Sequence, residues 1–342
     1  MEDLPLTPAQ PPTPEQVREA HELSLRLTGI FMPQALRQMK ALYERVPGQT
    51  SGRLVHYTSA EAALQIIEKK QFWMRNTICM TDYREVLHGY DIFNDYFADK
   101  TRGQAFIDAF EAVAPGVATE AIVAFNNSWS DIRLNTYITC VSEHQDSEDK
   151  HGRLSMWRAF GSGTRVGIVF SIPYMTLSPI ALGLSFSPVA YLPPAEVHEV
   201  IEEVVKNVQT ERAYLQSLQR DVLVRMVFQM LVSGVVCLKH EGFREELEWR
   251  AIYTPNRWSS PLMKSSTKVL GGVPQVVYKI PLDGAAHPQI ADLDFARLFE
   301  RLIVGPTPYP WPISCAFEQV LKNAGVADAR QRIVFSQIPI RA

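Results

Sequence analysis

The chain has 342 residues, 46% of them apolar and 21% charged, which is enough to bury a full core and typical of a soluble globular composition. A formal charge of -3 excludes a general electrostatic pull toward nucleic acid or anionic membrane, although it leaves room for a local basic groove. Cys79, Cys140, Cys237 and Cys315 show no CxxC or Cys/His spacing, which argues against a metal site and a disulfide scaffold and for a reducing, cytoplasmic setting.

The first dozen residues are acidic and Pro-rich, so a disordered tail is expected there, with no apolar stretch to serve as a signal peptide or membrane anchor. Thr13-Pro14-Glu15 then has the form of a helix start, and the apolar residues from Leu23 to Tyr43 predict two helices that Pro33 separates and Pro47-Gly48 ends. Residues 1 to 50 therefore read as a tail and a helical extension. From about residue 51 to 342 the pattern is that of a single domain. Arg53 to Thr58 is a predicted strand, Ser59 caps a helix, and Phe72 to Arg75 begins another strand. Asp82 and Glu85 fall within one turn of a predicted helix, most simply as a cap and a surface acid.

Asn135 to Ser142 alternates as a strand, and the charged stretch from Glu143 to Gly152 has the composition of a solvated loop. Val166 to Phe170 is a buried strand, and a helical insertion is expected at about residues 193 to 238. Its longest apolar run, Met226 to Leu238, is too short to span a bilayer. Strands and helices then mix without regular alternation to the C-terminus, which predicts an α+β fold.

One stretch calls for a chemical reason. Phe243 to Tyr253 reads as a strand in which Glu246 and Glu248 share one face while Leu247 and Trp249 turn to the core. Neighbouring carboxylates raise each other's pKa unless a cation relieves them. Arg250 falls on the same face, so a structural ion pair and a catalytic pair of acids are both open.

The order His56-Tyr57-Thr58, then Asp82 to Glu85, Cys140-Val141-Ser142, Met156-Trp157 to Phe170 and Glu246 to Arg250 resembles a large bacterial family of domains of unknown function. Thr81 and Phe160 depart from that family's usual Asn and Tyr. The same skeleton looks like an ADP-ribosyltransferase, which implies a mixed or antiparallel β core. That resemblance implies NAD as the substrate and an unidentified macromolecular acceptor, while the charge and the short apolar runs predict no membrane partner. It places Glu248 on the nicotinamide ribose facing the oxocarbenium-like charge, Glu246 as base for the acceptor, and His56, Tyr57, Thr58, Ser142 and Arg250 around the dinucleotide. A toxin, effector or phage-defence role would suit such an enzyme. A non-catalytic nucleotide-binding or protein-interaction module and an NAD hydrolase are the alternatives, and each of these residues also has a plain structural use.

Overall fold

A computed structural model describes residues 13–45, 48–80, 86–159, 163–174, 176 and 178–339. The expectations for the first dozen residues, Thr81, Asp82, Glu85 and Phe160 lie outside them. Ten strands form the β framework: β1 Ser51–Ser59, β2 Gln71–Asn76, β3 Tyr137–Glu143, β4 Arg165–Pro173, β5 Leu184–Pro188, β6 Glu248–Tyr253, β7 Lys264–Leu270, β8 Val273–Pro281, β9 Phe299–Val304 and β10 Ile333–Phe335. Their order is β10-β9-β4-β1-β3-β2-β8-β7, with β6 on β3 and β5 on β6. Only the β9 and β10 pairing is parallel among these strands, so the sheet is mixed and open.

One irregularity shapes the molecule. β6 pairs with β3 along its length, from Tyr137 opposite Tyr253 to Ser142 opposite Glu248. On the other edge of β3, β1 meets only Ser142 and Glu143, and β2 meets only Tyr137 and Ile138. β1 and β2 thus fork apart. The middle of β3 is left without a ladder partner on that edge, and a cleft opens between the prongs.

The two sheet faces carry separate cores. Alternation sends Tyr137, Ala251, Ile168 and Phe170 to one face, under the helices Ala60–Lys69 and Pro310–Asn323. Ile138, Cys140 and Ile252 point to the other, where the helices Leu87–Ala98, Lys100–Glu111, Val117–Asn127, Pro194–Thr210 and Arg220–Val236 form a thick layer. The expected insertion is part of this layer. The N-terminal helix Pro14–Phe31 joins it through Leu27, Ile30 and Phe31, and the helix Pro33–Tyr43 sets Leu42 and Tyr43 against Leu54 and Trp249 on the other face. These helices complete the core rather than extend from it. No helix among the described residues is long and apolar enough to cross a membrane.

The helical layer closes through glycine. A Cβ on Gly89 would lie 2.7 Å from both the Gly234 carbonyl oxygen and Val235 Cα, which are backbone atoms that cannot swing aside. Gly89→Ala should gain at most about 1 kcal/mol of helix propensity and lose about 1–3 kcal/mol to overpacking. A net drop in the urea midpoint is the expected outcome, and a rise would show that the two helices can slide apart.

Candidate functional site

The strand expected over residues 243–253 starts late. Glu241–Glu246 is a 3-10 helix, Leu247 takes a left-handed backbone with φ 44°, and β6 begins at Glu248. The i, i+2 alternation therefore does not bring Glu246 beside Glu248. Lys239 does: its Nζ donates to Glu246 Oε2 at 2.7 Å and to Glu248 Oε2 at 3.2 Å.

Glu248 is held on every side. Arg250 Nε donates to its Oε1 at 2.9 Å and Arg250 Nη2 to its Oε2 at 3.2 Å, while Arg250 Nη1 is anchored on the Val236 carbonyl. The Glu248 amide donates to the Tyr191 hydroxyl at 3.0 Å. The Cys140 thiol adds a hydrogen bond to the carboxylate, and Ser142 lies directly opposite in the strand register. Arg250 is 0% exposed and Glu248 6%, so these charges are almost wholly withdrawn from water. Burial by itself would raise the Glu248 pKa, yet Arg250 and Lys239 overcome it and hold the carboxyl at about 2. Burial pushes Glu246 the other way, above the usual range, against the pull of Lys239 and with the Glu248 charge adding to the rise.

The second cluster lies in the fork. His56, Tyr57, Thr58 and Ser59 from the end of β1, Glu61, Ala62, Gln65 and Ile66 from the following helix, and Ile138 to Cys140 from β3 line a cleft of about 570 Å³. Trp73 and Arg75 from β2, Met80 and the hairpin residues Lys268 to Gly271 close it. This volume is within the roughly 300–1,000 Å³ usual for small-molecule sites. His56 is placed by the fork itself. The Cys140 carbonyl has no β1 ladder partner, and His56 Nδ1 lies 2.8 Å from it. A carbonyl can only accept, so Nδ1 carries the proton and Nε2 of the neutral ring is an acceptor. Burial lowers the His56 pKa, and the bond to Cys140 only partly offsets it.

Tyr57 borders the cleft, but its ring packs edge-on against Trp157 at 4.9 Å and its hydroxyl accepts from the Arg153 amide at 2.9 Å. The expected site residues therefore divide. His56, Tyr57 and Thr58 gather at the fork, whereas Glu246, Glu248, Arg250 and Ser142 gather around the buried ions, with none of these four lining the cleft. Cys140 alone belongs to both groups. No family model, curated protein or solved structure matches the chain.

Lys239, Tyr191, Trp73 and Lys268 join these two clusters without a strong signal in the sequence. Lys239 sits in a short turn beside the strand, and nothing local marks it. Lys268 had a weak signal: Gly271-Gly272 between Val269 and Val273 is a hairpin turn flanked by β-branched residues. The charged stretch from Glu143 to Gly152 is a solvated loop only in part: Gln145 to Ser147 and Lys150 are exposed, and other members are drawn into an ion-pair network. His144 is fully buried, with Nε2 2.8 Å from Asp149, and Asp149 is joined at 2.6 Å by Arg53 from β1 and at 3.2 Å by Arg301 from β9.

Proposed function

We propose that the chain is a binding module for a small nucleotide-class ligand, seated in the fork between β1 and β2, with NAD as the first ligand to test. The observation that carries this reading is the division of the site: the carboxylate of Glu248 has both oxygens occupied by buried cations, while the open cleft next to it holds an aromatic ring, two cations and a neutral histidine. A carboxylate that must face a developing oxocarbenium charge needs a free oxygen and access to substrate. In this arrangement both Glu248 oxygens are engaged by cations, and the residue borders a separate pocket of about 260 Å³ with Glu143 and Tyr191 instead of the cleft, so its role is that of a counter-ion.

An NAD-consuming transferase remains the second reading, favoured by one feature. Cys140 borders the cleft and bonds Glu248, so a single side chain separates them. That reading requires Arg250 to release Glu248 on binding and an acceptor to enter beside Glu246.

Incubation with NAD separates the two. A binding module should show an NAD-dependent rise in melting temperature, equivalent to about 2.7 kcal/mol at a hundredfold excess over Kd, and release no nicotinamide. Nicotinamide release that disappears in Glu248→Gln would establish the transferase instead. No thermal shift and no release would remove NAD as the ligand.

A further inference from the structure

The wall of the cleft built by β2 and the β7–β8 hairpin has a composition of its own. Trp73 and Arg75 alternate to the same side of β2, and Lys268 stands opposite Gln275 across the hairpin. Gln275 Oε1 accepts from Arg75 Nε at 3.2 Å, and the Cys79 carbonyl accepts from Arg75 Nη2 at 2.8 Å, so the guanidinium is fixed in place. Lys268 reaches back across the hairpin with Nζ 5.4 Å from the centroid of the Trp73 ring. Gly271 and Gly272, at φ 58° and 80°, supply the tight turn that brings that strand over β2. Among the described lining residues Glu61 is the one acid, against Arg75 and Lys268.

A flat indole beside two cations is a surface for a ligand that is aromatic at one end and anionic at the other. Resting on the cleft being the ligand site, we propose that the ligand is a free nucleoside phosphate whose base stacks on Trp73 and whose phosphate is held between Lys268 and Arg75. Lys268 covers the ring by a cation–π contact and exchanges it for the phosphate when the base arrives. Residues of the hairpin thereby set specificity, in addition to His56 and Thr58.

The test is calorimetric titration of the full chain with AMP, adenosine, NAD and a 5'-phosphorylated adenylate tetranucleotide. The wild type should bind AMP more tightly than adenosine. Lys268→Ala should weaken AMP roughly tenfold and leave adenosine within about twofold, as expected for one charge-assisted contact. Trp73→Leu should weaken both ligands by about 5- to 150-fold, the range of a lost base stack, and Trp73→Phe should restore most of it. Lys268 is on an edge strand, so its variant isolates binding from folding. Equal weakening of AMP and adenosine in Lys268→Ala, or unchanged binding in both Lys268→Ala and Trp73→Leu, would overturn the hairpin assignment while leaving the cleft reading intact. Tighter binding of the tetranucleotide than of AMP would overturn the free nucleotide as the source. A wild type that binds neither AMP nor NAD would overturn the cleft reading and this inference together.

Discussion

Arg250→Met is expected to destabilise the fold by about 3–5 kcal/mol, the usual cost of leaving one buried charge without its partner. Arg250 supplies two of the hydrogen bonds to Glu248 and is itself fixed on Val236, so its loss strands a carboxylate that is 6% exposed. Lys239 alone cannot compensate, because it is shared with Glu246. Removing both charges tests the cause. Arg250→Met with Glu248→Leu should recover most of the loss, since an apolar replacement of a buried pair is often neutral or stabilising, and Lys239 keeps Glu246 as partner. Urea denaturation of the two variants decides it. A double variant no more stable than the single one would show that packing around Arg250, and not charge compensation, holds this region.

Acid should probe the same cluster. The Glu248 carboxyl titrates at about 2 in the fold against 4.5 for the free group. Its contribution, on the order of 3 kcal/mol, is fully present above the unfolded value and is lost as pH falls from there toward 2. Glu246 works in the opposite sense: its raised pKa makes the folded state bind a proton more readily, so acid relieves it. Arg250→Met should therefore flatten the low-pH limb of the stability curve. An unchanged limb would assign the acid sensitivity to other carboxylates, such as Asp149, which burial would raise but which Arg53 and His144 hold low.

The strands were legible where the sequence is apolar throughout, as in Val166 to Phe170, because burial on both faces leaves no polar interruption. The unusual position of Glu248 was legible too, since a carboxylate between Leu247 and Trp249 has little reason to be in a core strand. Its neighbourhood was not. Leu247 in a left-handed conformation is disfavoured for a side chain with a Cβ, and only the tertiary setting of the 3-10 turn imposes it. Lys239 reaches the acids from the end of the preceding segment, and Arg53 and Arg301 convert a polar stretch into a packed network from two other strands. Charges look solvated in sequence because their partners are distant in it. The fork has the same character: each strand is readable alone, but the point where β1 and β2 part from β3 is a property of register.

Trp157→Ala is expected to cost about 3–5 kcal/mol and to loosen the turn that carries Glu246. The indole is 1% exposed, meets Tyr57 edge-on and donates from Nε1 to the His151 carbonyl at 2.7 Å. Gly152 lies so close that a Cβ there would be 2.4 Å from Trp157 Cζ2, and Gly305 is pressed against the opposite part of the ring. Between these contacts is Arg153, whose amide donates to Tyr57 and whose guanidinium donates to Glu148 at 2.7 Å and to the carbonyls of Glu143, Glu245 and Glu246 at 2.7 to 3.0 Å. The ring therefore props the residue that ties the 3-10 turn to β3. Trp157→Phe keeps most of the apolar surface and loses about 1 kcal/mol for the bond to His151, plus a smaller cavity term. Hydrogen exchange at the 241–247 amides should quicken in the alanine variant well beyond the phenylalanine one. If urea denaturation shows equal losses for the two, the void left by the indole is not what destabilises the turn, and the His151 bond accounts for the effect.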